Sequence, residues 1–207
     1  MAQYFEMHPT TPQRRLLKQA ATILEEGGVI VYPTDTTYGL GCGIFNKEGV
    51  ERILAIKKLP ATHQLSILCA DLSDIAKYAR VDNAQYRTLK KYLPGPYTFV
   101  LEASREVPKR ILPKRNTIGL RIPENPICLG LLQEFGQPLL STSLKLPDSA
   151  EIMDTPALFK DRMDALVDLI IDAGVSANKP STIVDLTGET PVVLREGAGD
   201  PSVFQVG

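Results

Sequence analysis

The sequence predicts a single α/β domain built on a mixed parallel and antiparallel sheet with flanking helices. Three observations carry the prediction. Segments of helical period alternate with short β-branched runs through the first two thirds of the chain. Three strand-like runs then follow one another closely near its end, which breaks the pattern of a purely parallel sheet. A chain of 207 residues with 43% hydrophobic content has enough apolar surface for one core, so one domain over residues 1–207 is expected, without internal repeat or low-complexity linker.

The elements follow in order. Thr11 is placed to cap an opening helix and Pro12 to occupy its first turn. Leu16, Leu17, Ala20, Ile23 and Leu24 recur at helical spacing, and Gly27 and Gly28 end the helix. Val29 to Tyr32 is a short, wholly apolar run stopped by Pro33, as expected of a strand buried on both faces. A second helix begins near Asn46, presents Val50, Ile53, Leu54 and Ile56 as its apolar stripe, and delivers Lys57 and Lys58 to its end before Pro60. Further strands are predicted over 65–69, 97–101, 117–122, 139–143, 167–171, 182–186 and 192–194, and helices over 83–92, 125–135 and 156–164. Residues 145–155, rich in Pro, Asp and Ser, read as a loop of the lid type.

Composition excludes several classes. With 23 basic against 24 acidic residues the formal charge is −1, so any RNA contact has to be local rather than a property of the whole surface. Three widely spaced cysteines, Cys42, Cys69 and Cys128, fit neither a disulfide framework nor a paired-cysteine zinc site, and are expected as buried thiols. No run approaches the ~20 apolar residues of a membrane span, and the N-terminus lacks a signal-type apolar core, so a cytoplasmic protein without membrane partners is expected.

Candidate chemistry gathers at predicted strand ends, where α/β sheets usually form pocket walls. In PTDTTYGLG, Pro33 to Gly41, the hydroxyls of Thr34, Thr36 and Thr37 and the bare backbone of Gly39 and Gly41 suit a ligand wall; a turn capped by its threonines is the equal alternative. Neither a Walker loop, a dinucleotide fingerprint nor a GxSxG elbow is present, and His8 and His63 are the two histidines, His8 in a polar, solvated stretch. Lys57, His63, Arg121, Lys145 and Arg195 fall just after helices or at strand ends, the places from which a sheet presents cations to one concave face.

The ordered series PTDTTYGLG, IKKLPATHQL, PGPYTFVL, TIGLRIP, PLLSTS, STIVDL and VVLREG resembles the YrdC-like family from about residue 11 to 200. That resemblance implies a twisted sheet with a concave, positively charged cavity. It further implies nucleotidyltransferase activity in which ATP, L-threonine and bicarbonate give threonylcarbamoyl-AMP and pyrophosphate, for modification of tRNA to threonylcarbamoyladenosine. Position by position it implies that Thr36, Arg121, Ser141 and Ser181 bind threonine. It likewise implies that Lys57, Thr117, Ser143 and Arg195 lie around the ATP or AMP-like nucleotide; His63 is expected beside them, and Lys57, Ser143 and Lys145 are expected to act in catalysis. Mg²⁺ is expected to arrive with ATP as substrate; neither a dedicated metal site nor a tightly bound cofactor is implied.

The sequence departs from the synthases of that family at three positions. Their K-x-R reads Lys57, Lys58, Leu59; their S-x-N reads Ser143, Leu144, Lys145; and a usual histidine is Leu68. These changes resemble the YciO branch. One lost charge-assisted contact costs roughly 1.5 to 3 kcal/mol before compensation, and Lys145 is expected to restore the cation lost at position 59. A Ser176, Ala177, Asn178 triplet mimics S-x-N at the wrong place in the series and reads as a turn. The alternative function is double-stranded RNA or tRNA binding through Lys109, Arg110, Lys114 and Arg115, although a solvated loop is the simpler reading of that cluster.

Overall fold

The computed structural model describes residues 1–60, 62–112, 116–145, 147 and 153–204. Among them the strands are β1 (Gln3–Glu6), β2 (Ile30–Tyr32), β3 (Gly39–Gly43), β4 (Ser66–Leu68), β5 (Tyr97–Glu102), β6 (Thr117–Arg121), β7 (Leu139–Ser143), β8 (Leu169–Asp172), β9 (Thr182–Asp185) and β10 (Val192–Arg195). The helices are α1 (Arg14–Glu25), α2 (Lys47–Ile56), α3 (Leu72–Tyr78), α4 (Asn83–Tyr92), α5 (Pro126–Phe135) and α6 (Pro156–Met163). The strands form one sheet in the order β1-β8-β2-β3-β7-β4-β6-β5-β9-β10. Parallel pairs, such as β2 with β8 and β4 with β6, occur together with antiparallel ones, such as β3 with β7, so the sheet is mixed as expected.

Cross-strand register explains where the open surface lies, because paired residues point to the same face. The row Cys42–Leu140–Ile67–Leu120–Phe99–Val184 is apolar throughout and packs into one large core with Ile53 of α2, Ile75 of α3, Leu89 of α4 and Phe159 of α6. The opposite face changes character along the sheet. Its Ile30, Tyr32, Leu139, Leu169 and Ile171 pack beneath α1 and α5 in a second core. Farther on, the row Gly41–Ser141–Ser66–Gly119 and the neighbouring Leu68–Arg121 pair carry small or polar side chains. Helices cover both faces at one side of the sheet, while the polar half of the second face stays open. That asymmetry positions the cleft.

Several expectations are corrected. The first helix starts at Arg14 with Gln13 at its N-cap and no side-chain cap bond; Thr11 instead donates its backbone N–H to His8 Nδ1 at 3.1 Å. Strands β1 and β3 and helix α3 went unassigned by pattern. Gly39–Gly43 has poor strand propensity but is held as a central strand between β2 and β7, and α3 is two turns capped by Asp71, which accepts from the Ser73 and Asp74 N–H groups. Of the three late strands, β9 and β10 pair at one edge while β8 lies between β1 and β2. Asn46 caps α2 through its side chain, as its position suggested. Most of the expected lid over 145–155 lies outside the described residues, and Ser176 to Asn178 fall in the connection from β8 to β9.

The glycines of β3 serve packing more than ligand approach. A Cβ at Gly39 would stand 2.9 Å from the Tyr32 ring, and one at Gly41 would stand 3.0 Å from Tyr32 Oη and 2.8 Å from the Leu140 carbonyl oxygen. Tyr32 therefore lies across the bare face of β3. We expect Gly41→Ala to destabilise the fold by about 1–3 kcal/mol, because backbone on one side and a buried ring on the other leave no room to relax. Urea denaturation of the two proteins measures this as a lower midpoint at unchanged slope.

A candidate ligand-binding cleft

The loop that follows β2 is organised by one hydroxyl. Thr34 Oγ1 donates to the Thr37 carbonyl at 2.6 Å and accepts the backbone N–H groups of Thr36 and Thr37. Threonine suits this work because its hydroxyl bonds backbone one turn ahead. The threonines build a turn, and Thr34, Thr36 and Thr37 also line a cleft of about 600 Å³.

Opposite the loop, Arg121 ends β6 with 6% of its surface exposed. Its Nη1 donates to Thr36 Oγ1 at 2.8 Å, its Nε to the Gly95 carbonyl at 3.3 Å, and its Nη2 to Asp35 Oδ1 in a short ion pair. Burial pulls the Arg121 pKa down and the Asp35 charge pulls it back up. Asp35 Oδ2 is buried without a hydrogen-bond partner.

Around this floor, Ser141 accepts from Tyr32 Oη and Ser181 lies 2.8 Å from Thr98 Oγ1. Arg195 donates through Nε and Nη2 to the Ser181 carbonyl. Its pKa is lowered, first by burial and then by Arg121. His63 is lowered by burial and by Lys57, which leaves its imidazole more often neutral near pH 7. Among the described residues the lining includes Arg121, Arg195 and His63 but no carboxylate.

The structure brings Thr36, His63, Arg121, Ser141, Ser143, Ser181 and Arg195 to this one cleft. Lys57 stands behind its rim, buried, with Nζ donating to the carbonyls of Ser143 and Lys145 at 2.7 and 2.6 Å. Lys145 is exposed and outside the lining; its carbonyl holds Lys57 while its charge helps to depress the Lys57 pKa. Thr117, half-buried at the start of β6, also lies outside the lining, and Leu59 is half-buried away from it. Leu68 borders the cleft beside Arg121.

Sequence reasoning missed Asp35, Tyr32 and Thr98. The available signal for Asp35 was a lone acid between the hydroxyls of Thr34 and Thr36. Tyr32 read only as strand core, and Thr98 had no motif. The three cysteines are buried, and burial raises the pKa of Cys69 and Cys128, which keeps those thiols protonated. Among the described residues no cluster of three His, Cys, Asp or Glu could hold a metal ion, and no helix is long and apolar enough to cross a membrane.

A mixed sheet covered by helices on one face and half of the other, with a hydroxyl-rich cationic cleft on the remainder, defines a class of small α/β domains with a single-face ligand cleft. The chain belongs to the Sua5/yciO/yrdC family, whose family model, described as telomere recombination, matches residues 22–197. It is 50% identical over 205 residues to the uncharacterized protein YciO of Escherichia coli K12, covering 99% of this chain and 100% of that protein. The crystal structure of E. coli YciO superposes with a TM-score of 0.94 over 99% of this chain and all of that one. Threonylcarbamoyl-AMP synthase of Chromobacterium violaceum is 36% identical over 191 residues, 90% of this chain and 96% of that protein. The crystal structure of P. abyssi Sua5 complexed with L-threonine is 28% identical with a TM-score of 0.87, covering 94% of this chain and 57% of that chain.

Lys57 gives the cleft a titration. Burial, then the Lys145 charge, lower its pKa from 10.5 to about 8. Below pH 8 both folded and unfolded chains carry this proton and the burial penalty is fully present. Between about 8 and 10.5 the unfolded chain holds more protons, so stability rises with pH. We expect Lys57→Met to remove this rise, read as the difference between wild-type and variant urea midpoints from pH 7 to 10.5.

Proposed function

We propose that the chain binds L-threonine and MgATP in this cleft and joins them through bicarbonate, releasing pyrophosphate and forming threonylcarbamoyl-AMP for tRNA modification in a reducing cytoplasm. The observation that carries the reading is the meeting of the Arg121 guanidinium with the Thr36, Ser141 and Ser181 hydroxyls on one floor, with Arg195 on the wall. A guanidinium flanked by hydroxyls suits an amino-acid carboxylate, and a second guanidinium suits phosphate oxygens. The identity to threonylcarbamoyl-AMP synthases and the likeness to a Sua5 that binds L-threonine support the same assignment.

The chemistry asks for position and charge rather than a strong acid or base. Threonine and bicarbonate condense to the N-carboxy amino acid with loss of water. Its carbamate oxygen then attacks the α-phosphorus, and the bond to the β,γ-pyrophosphate breaks. Arg195 offsets negative charge as that bond opens, and Lys57 fixes the Ser143 to Lys145 backbone at the rim. Lys145 is exposed and outside the lining, so its contact with the site is the carbonyl that holds Lys57 rather than a cation facing the ligand. Mg²⁺ belongs to the nucleotide substrate.

Purified protein given MgATP, L-threonine and bicarbonate is expected to release pyrophosphate, and Arg121→Ala to lower that rate about 100-fold or more. No pyrophosphate release together with no ATP binding at millimolar concentration ends the reading. A second reading, RNA binding, draws support from a separate concavity of about 810 Å³ lined by Arg80, Arg105 and Lys109, with Glu102 paired to Arg80. Lys114, Arg115 and the Arg110 side chain lie outside the described residues. Phosphate contacts there would make RNA affinity fall steeply with salt, and affinity indifferent to salt argues against them.

A further inference from the structure

We propose that Asp35 makes the cleft select a zwitterionic amino acid over a plain carboxylate. The inference rests on the amino-acid reading above and adds a determinant of specificity to it. Arg121 already has a carboxylate partner within the chain: its Nη2 donates to Asp35 Oδ1. An incoming carboxylate that takes Arg121 therefore meets a charge that the chain has already matched.

The remainder is charge accounting. Asp35 has 12% of its side chain exposed, and its Oδ2 is buried with no partner. If a ligand carboxylate claims Arg121 and brings nothing else, Asp35 becomes a buried, unpaired anion, the most costly arrangement of such a pair. An α-amino acid brings a cation with its anion. Its carboxylate takes the guanidinium, its ammonium takes Asp35, and two ion pairs replace one with no charge left alone.

Placement favours this exchange. Asp35 lies between Thr34 and Thr36, both cleft-lining, and Thr36 Oγ1 accepts from the same guanidinium at 2.8 Å. Carboxylate, hydroxyl and guanidinium thus form one hydrogen-bonded patch. Among the described residues no acid lines the cleft, and Asp35, held on the guanidinium that does line it, is the carboxylate that a bound ammonium would meet once Arg121 turns to the ligand.

The test compares L-threonine with 3-hydroxybutyrate, the same molecule without its amine, by calorimetry on wild type and Asp35→Asn. Wild type is expected to bind threonine at least ~100-fold more tightly than the amine-free acid, and the variant to lose most of that ratio by gaining affinity for the amine-free acid. A ratio near one in wild type, which needs no variant to fold, overturns the proposal while leaving amino-acid binding intact. So does a wild-type ratio that survives unchanged in Asp35→Asn. If wild type binds neither compound at millimolar concentration, the amino-acid reading and this one fall together. If Asp35→Asn does not fold, a crystal structure of wild type with L-threonine decides: Asp35 facing the ammonium supports the proposal, and Asp35 still on Arg121 Nη2 overturns it.

Discussion

The buried ion pair between Arg121 and Asp35 ties together parts of the chain that are 86 residues apart in sequence. Arg121 also holds the Gly95 carbonyl before β5, so three segments from different strands converge on one guanidinium. Removing one partner of such a pair typically costs about 3–5 kcal/mol, whereas keeping both intact contributes little net stability. The pair is therefore better understood as an orienting device. It fixes a cation at the floor of an otherwise hydroxyl-lined cleft, and Ser141, Ser181 and Arg195 are arranged around that fixed point.

Much of the fold was legible because burial imposes period. The apolar run Ile30–Tyr32 announced itself as a strand, and the apolar stripe of Val50, Ile53, Leu54 and Ile56 announced α2. What failed was local propensity where tertiary contacts overrule it. Gly39–Gly43 has the composition of a loop, yet its bare faces are needed by the Tyr32 ring and by Phe135. The strand order was hidden as well, since nothing in residues 169–172 says that they pair with β1 and β2 at the far side of the sheet.

The site divides in the same way. Hydroxyls and cations at strand ends could be named from their positions, and most of those named meet in one cleft. Their partners could not. Asp35 carries no periodic signal, and the role of Lys57 as a clamp on two backbone carbonyls depends on where the chain after β7 happens to pass. A side chain that works by neutralising or orienting another leaves little trace in a motif, because its function is defined by a contact distant in sequence.

The hydrogen bond from Tyr32 to Ser141 also settles which way protons point. Ser141 Oγ accepts from Tyr32, and its own proton has no acceptor among the described residues, so it is left to donate into the cleft. The Thr36 hydroxyl accepts from Arg121 Nη1 and stands 3.1 Å from Thr34 Oγ1, whose own proton goes to the Thr37 carbonyl. The floor consequently offers a proton to a ligand's oxygen atoms at Ser141, a direction set by a tyrosine from the strand two places away in the sheet.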